Sequence, residues 1–126
     1  MKIHGIGTDI VNVDRIKKSL KNKKILYKLF SKEEILKCNK LKNSHNCYAK
    51  RFAAKEAFSK ALGTGISKGI NFNEIIILNE KNGKPFLKLD GQTKQTVKKK
   101  LKKKIIISLT ISDEKKYALA FVTISS

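Results

Sequence analysis

Arginine is nearly missing from this basic chain of 126 residues: of 29 basic side chains, only Arg15 and Arg51 are not lysine. A nucleic-acid-binding protein would normally use arginine more freely, because its planar fork pairs bidentately with phosphates and base edges. No aromatic-basic motif accompanies the lysines, which are spread along the chain. A non-catalytic nucleic-acid binder is therefore the alternative reading, motivated by the net charge of +19, and no specific nucleic acid is expected. A drift of composition toward Lys, Ile and Asn accounts for much of that charge. The surface will still attract acidic proteins and phosphorylated metabolites.

Cysteine is also scarce. Cys38 and Cys47 fit neither a C-x-x-C pair nor a zinc pattern, so free thiols in a reducing compartment are expected. His4 and His45 are too few and too scattered for a zinc site. There is no Ser-His-Asp or Cys-His constellation, and G-I-G-T-D is neither a Walker loop nor a dinucleotide fingerprint. The start lacks the apolar core of a signal peptide. No hydrophobic run approaches the length needed to span a bilayer. A cytoplasmic protein without a membrane segment is the expectation. Repeats and linkers are absent, and the length suits one domain over 1–126.

Residues 2–13 read as a strand. Alternation puts Ile3, Gly5, Gly7, Asp9, Val11 and Val13 on one face, and glycines within a strand often mark close approach of a backbone or ligand. A carboxylate on that face is costly unless it is ion-paired or bound to a cation. Asp14 is a candidate cap for a helix whose exposed faces carry Arg15, Lys17, Lys18 and Lys21. Ile25 to Phe30 suggests a buried helical turn. Ser31 and Glu34 form a capping-box pattern opening a helix to about Lys40.

The long helix should run from Ser44 or His45 to Leu62, with Tyr48, Ala49, Phe52, Ala53, Ala57, Phe58, Ala61 and Leu62 as its apolar stripe. Glu56 lies at the edge of that stripe among Arg51, Lys55 and Lys60. It is either a site residue or half of an i,i+4 surface pair with Lys60. Gly63 stops the helix, and the Gly63-Thr64-Gly65 turn could offer N–H groups to a phosphate. Strands at 74–79 and 86–90 flank an Asn82-Gly83 hairpin, with Pro85 tolerated at the edge of the second. A lysine-rich helix at 92–102 and strands at 105–111 and 117–124 complete an α+β domain with a mainly antiparallel sheet around a long central helix. Asp9 and Glu56, two carboxylates with few other protein ligands, suit Mg²⁺, which takes remaining oxygens from water and substrate phosphates.

Four motifs then stand together in order. G-I-G-T-D-I-V at 5–11 with Arg15-Ile16, K-R-F-A-A-K-E-A-F-S-K-A-L-G-T-G-I at 50–66, N-G-K-P at 82–85 and T-I-S-D-E-K-K-Y-A-L-A-F-V at 110–122 resemble the signatures of the holo-[acyl-carrier-protein] synthases, the small phosphopantetheinyl transferases. The resemblance spans the chain. It implies transfer of 4′-phosphopantetheine from coenzyme A to a serine of apo acyl carrier protein, in fatty acid biosynthesis, releasing adenosine 3′,5′-bisphosphate. It implies Asp9 and Glu56 as Mg²⁺ ligands and Lys60 at the pyrophosphate; Glu56, directly or through a metal-bound water, is the candidate base for the serine. Arg51 and Lys55, with Gly63 and Thr64, would contact phosphate, while Asn82, Gly83, Pro85, Thr110 and Ser112 would line the nucleotide pocket. It further implies a homotrimer with sites between subunits, and a carrier protein docked on Arg15, Lys18 and Lys21. Many family members have histidine where this chain has Asp113. An anion there should repel a ribose phosphate, so either a lysine such as Lys115 compensates or coenzyme A sits differently.

Overall fold

The fold is organised around the 19-residue helix α4 (Ser44–Leu62), laid across one face of a three-stranded antiparallel sheet. The computed structural model describes residues 1–64 and 69–126; Gly65, assigned above to a phosphate-meeting turn, lies outside them. The sheet has the order β1 (Ile3–Asn12), β5 (Tyr117–Ser125), β4 (Ile106–Asp113), so the ends of the chain pair with each other. A separate antiparallel ladder joins β2 (Ile75–Asn79) to β3 (Pro85–Leu89). The helices α1 (Val13–Ser19), α2 (Lys23–Leu29) and α3 (Lys32–Asn39) lie between β1 and α4 in sequence, and α5 (Gly91–Leu101) links β3 to β4.

Gly5 and Gly7 bring α4 close to β1. A Cβ on Gly5 would run into the carbonyl oxygen of Ala61, and one on Gly7 into that of Ala57. Small residues on both sides thus bring two backbones together, the close approach that strand glycines signal. Ala53, Ala57, Ala61 and Phe58 of α4 pack with Ala120, Val122 and Ile124 of β5 and with Ile75 and Ile77 of β2. Phe58 is fully buried, worth about 1.5–3 kcal/mol of hydrophobic free energy. α4 ends at Gly63, whose φ of +83° favours glycine.

The capping box at Ser31 and Glu34 forms as read. Asp14 does not cap α1. The helix begins at the buried Val13, one residue before Asp14, and Asn12 Oδ1 accepts from the Arg15 N–H at 3.1 Å. Asp14 remains in the first turn, where its charge suits the helix dipole. α2 has no fully buried residue; the apolar anchor of that stretch is Phe30, whose ring packs at a tilt against Tyr48. The hairpin turn is formed by Gly83 at φ +90°, with Asn82 Oδ1 accepting from the Lys84 N–H.

Cys38 and Cys47 are not free thiols: they form a disulfide between α3 and α4. Both face one core cluster, with Ile35, Tyr48 and Ala49. It is the packing of two helices, not a local spacing, that brings the sulfurs together. No described helix is long and apolar enough to cross a membrane.

Candidate active site

Sheet alternation turns Asp9 toward α4, and helical spacing puts Glu56 and Lys60 one turn apart beside it. Lys60 Nζ donates to Asp9 Oδ1 at 3.1 Å and to the Thr8 carbonyl at 3.0 Å. The surface pair with Glu56 weighed above does not form: among the described residues' ion pairs, Lys60 goes to Asp9. Asp9 Oδ2 is buried and has no hydrogen-bond partner. Burial pushes the Glu56 carboxyl above the usual range, the Asp9 charge pushes it further, and Lys60 offsets part of this.

Two carboxylates that repel each other, one with an orphaned buried oxygen, are expensive unless a cation shares them. All-oxygen donors suit a hard ion such as Mg²⁺. No group of three or more His, Cys, Asp or Glu side chains that could hold a metal occurs among the described residues, so such an ion would need water or substrate oxygens as well. The residues fit a magnesium ion on those terms.

A second region forms a cavity of about 480 Å³, where Lys50, Arg51, Asn79, Gly83, Pro85 and Asp113 come together. Arg51 is buried. Its Nε donates to the Ile77 carbonyl, Nη1 to Cys47 and Nη2 to Asn79 Oδ1. Asn79 in turn donates to the Gly83 carbonyl, tying the hairpin to the helix. Asp113 does meet a compensating cation, but it is Lys50 at 3.8 Å, and Asn46 Nδ2 donates to its other oxygen at 3.1 Å. Lys50 lies one residue before Arg51 and Asn46 in the first turn of α4, and neither carried a separate sequence signal.

Lys55 is not available to a phosphate. It is fully buried, and its Nζ donates to Glu34 Oε1 at 2.7 Å, the Phe72 carbonyl at 2.7 Å and the Ile75 carbonyl at 2.6 Å. Those bonds use every N–H that an ammonium has. Burial pulls its pKa down to about 8 while Glu34 pushes it up. Glu34 also accepts from the Ser31 and Ile77 N–H groups, so the pair knits α3, α4 and β2 together.

Thr110 and Ser112 do not line the cavity in one chain. They lie on the exposed face of β4, and the strand's contributions to the cavity are Ile111 and Asp113. Gly63 is exposed at the end of α4, and Thr64 follows it. On α1 and the turn after it, Arg15, Lys18 and Lys21 are all exposed, and Lys17, Lys18 and Lys21 border a recess of about 230 Å³ with Asp14.

The chain is similar to known proteins over nearly its whole length. Residues 5–122 match the 4′-phosphopantetheinyl transferase superfamily. The chain is 50% identical to the holo-[acyl-carrier-protein] synthase of Pelagibacter ubique over 123 residues, 97% of this chain and 96% of that protein. The crystal structure of the Neisseria meningitidis holo-[acyl-carrier-protein] synthase superposes with a TM-score of 0.89 at 37% identity, covering 99% of this chain and 100% of that one. That of the Bacillus anthracis synthase, in complex with CoA (3′,5′-ADP), gives a TM-score of 0.82 at 36% identity, covering 98% and 97%. The chain is a transferase that belongs to the 4′-phosphopantetheinyl transferase superfamily and, within it, to the holo-[acyl-carrier-protein] synthases.

Proposed function

We propose that this chain, as one domain, transfers 4′-phosphopantetheine from coenzyme A to a serine hydroxyl of an apo acyl carrier protein, with Mg²⁺ as cofactor. The serine oxygen bonds to the β-phosphorus, the pyrophosphate bridge breaks, and adenosine 3′,5′-bisphosphate leaves. The observation that carries the reading is the Asp9–Glu56–Lys60 group with its orphaned Asp9 oxygen. Asp9, through its unpartnered Oδ2, and Glu56 would hold the magnesium ion, which would supply neutralisation of the pyrophosphate charge and orientation of the reacting groups. Lys60, half exposed, swings from Asp9 to the pyrophosphate and stabilises charge that develops on it. Glu56, directly or through a metal-bound water, accepts the serine proton.

Arg51, Gly83 and Pro85 form the nucleotide side of the site, with the Lys50–Asp113 pair at its edge. Arg51 and Lys60 are nine positions apart on α4. At 100° and 1.5 Å per residue they point to opposite flanks, about 180° apart around the axis and about 14 Å apart along it. One chain therefore offers its carboxylate pair on one flank and its nucleotide cavity on the other, which favours sites completed between neighbouring subunits. The outer sheet face supports the same homotrimer: Ile6, Ile10, Leu119, Phe121 and Tyr117 are exposed there, and cross-strand pairing sets Ile10 beside Leu119 and Thr8 beside Phe121. A contiguous apolar sheet face of this kind marks an interaction surface.

The exposed cations Arg15, Lys18 and Lys21 dock the carrier protein, which is acidic in this reading, and complementary charge speeds encounter and selects partners. The reaction belongs to cytoplasmic fatty acid biosynthesis in this account. Incubation with coenzyme A, Mg²⁺ and apo carrier protein, followed by mass spectrometry of the carrier, tests the activity: a phosphopantetheine adduct is expected, and its absence while a control enzyme works would refute the assignment.

A further inference from the structure

A separate recess of about 370 Å³ opens between α5 and the strands β3 and β4, and none of its lining residues belongs to the regions described above. Its floor is aliphatic: Leu89, Val97, Ile105 and Ile107, of which Val97 is buried and the others half-buried. Its rim is cationic, formed by Lys94, Lys98, Lys103 and Lys104, with no carboxylate lining it among the described residues. None of these lysines takes part in an ion pair among the described residues.

The backbone concentrates those charges at a conformational cost. Lys102, at the C-cap of α5, has φ +53°, the left-handed region that side chains other than glycine rarely adopt, and among the described residues it is the one non-glycine there. The reversal at Lys102 brings Lys103 and Lys104 to the same recess as Lys94 and Lys98. Like charges gathered around an apolar floor are unfavourable on their own, and an anion with a hydrocarbon tail would relieve both terms at once.

We propose that this recess binds a single acyl chain carrying an anionic head, the chemistry of a medium-chain fatty acid carboxylate. The tail lies on Leu89, Val97, Ile105 and Ile107, and the carboxylate sits among the lysine ammonium groups. A free amphiphile fits better than a bilayer surface, because the apolar residues are recessed and offer no protruding side chain to insert between lipids. This inference does not depend on the transferase reading.

The test is a methyl-resolved NMR titration of the full chain with decanoate below its micelle concentration. Acetate, decanol and phosphatidylglycerol vesicles form parallel arms. Saturable shifts of the Leu89, Val97, Ile105 and Ile107 methyls with decanoate are expected, with none for acetate and binding at least about tenfold weaker for decanol, which lacks the charge. Lys98→Glu with Lys104→Glu should weaken decanoate binding by about tenfold or more, since two attractions become repulsions. The same double variant should keep the wild-type rate of phosphopantetheine transfer, so failure here leaves the transferase reading standing. Absent decanoate shifts, equal binding of decanol or acetate, or shifts with vesicles alone would each overturn the proposal.

Discussion

Lys60 on α4 donates to Asp9 on β1 at 3.1 Å, across 51 positions of sequence, and leaves the second Asp9 oxygen buried without a partner. The ion pair itself is worth little: Lys60 is half exposed, and such pairs contribute about 0–1 kcal/mol. Its significance is positional. It fixes one carboxylate oxygen, while the other stays buried beside the charge of Glu56.

The repulsion between Asp9 and Glu56 makes stability depend on pH and on metal. The folded-state pKa of Glu56 lies above its ordinary value, so in the window between them the native state holds more proton than the unfolded chain. Stability in chelator should therefore fall as pH rises through that window. Added Mg²⁺ should raise the melting temperature, more above the window than below it, because it binds the ionised pair and stabilises by mass action. Thermal melts in Mg²⁺ and in chelator across pH check this. An Asp9→Asn variant should lose most of the Mg²⁺ effect.

Lys55 is a structural cation in this account. Lys55→Met should cost about 3–5 kcal/mol, because it leaves Glu34 charged and buried without its partner, and denaturant midpoints would measure the loss. The KM for coenzyme A, taken at a temperature where the variant is folded, should stay within about twofold of wild type, since no lost contact reaches substrate. A KM rise with little loss of stability would return Lys55 to the phosphate site.

Gly7→Ala should lower both stability and turnover. Its Cβ would meet the Ala57 carbonyl and force α4 away from β1, at about 1–3 kcal/mol for such overpacking. Moving α4 also carries Glu56 and Lys60 away from Asp9. Gly83→Ala meets no neighbouring atom and strains only a turn at positive φ, so its transfer rate should fall less. Kinetics of the two variants side by side make the comparison.

The outer sheet face predicts assembly. Phe121→Glu or Ile10→Glu puts a charge into an apolar surface without touching the core, since both side chains are exposed in a single chain. Light scattering should read a trimer for wild type and monomers for the variants. Transfer activity should fall with the trimer if neighbouring subunits complete each site.

Much of this was legible from residues alone. The alanine stripe gave α4 its length, the Ser31–Glu34 box gave the start of α3, and the strand glycines announced a close backbone approach. What failed was whatever depended on distant partners. Lys55 reads like Arg51 and Lys60 in the helix sequence, and only the packing of α3 and β2 shows that Glu34 and two carbonyls take its N–H groups. The two cysteines gave no spacing signal because the bond joins helices that meet through their cores. For Asp113 the sequence posed the problem of an anion in a phosphate pocket, but the answer, Lys50, required the end of β4 to be set against α4.

The most direct test of the central claim is the transfer rate as a function of Mg²⁺ concentration, for wild type and Glu56→Gln at equal coenzyme A and carrier protein. Wild type should rise from no turnover in chelator to a saturating rate. Glu56→Gln should remain at least about a hundredfold slower at every Mg²⁺ concentration while melting cooperatively. A Glu56→Gln variant that turns over at close to the wild-type rate, or a wild type indifferent to Mg²⁺, would contradict the account.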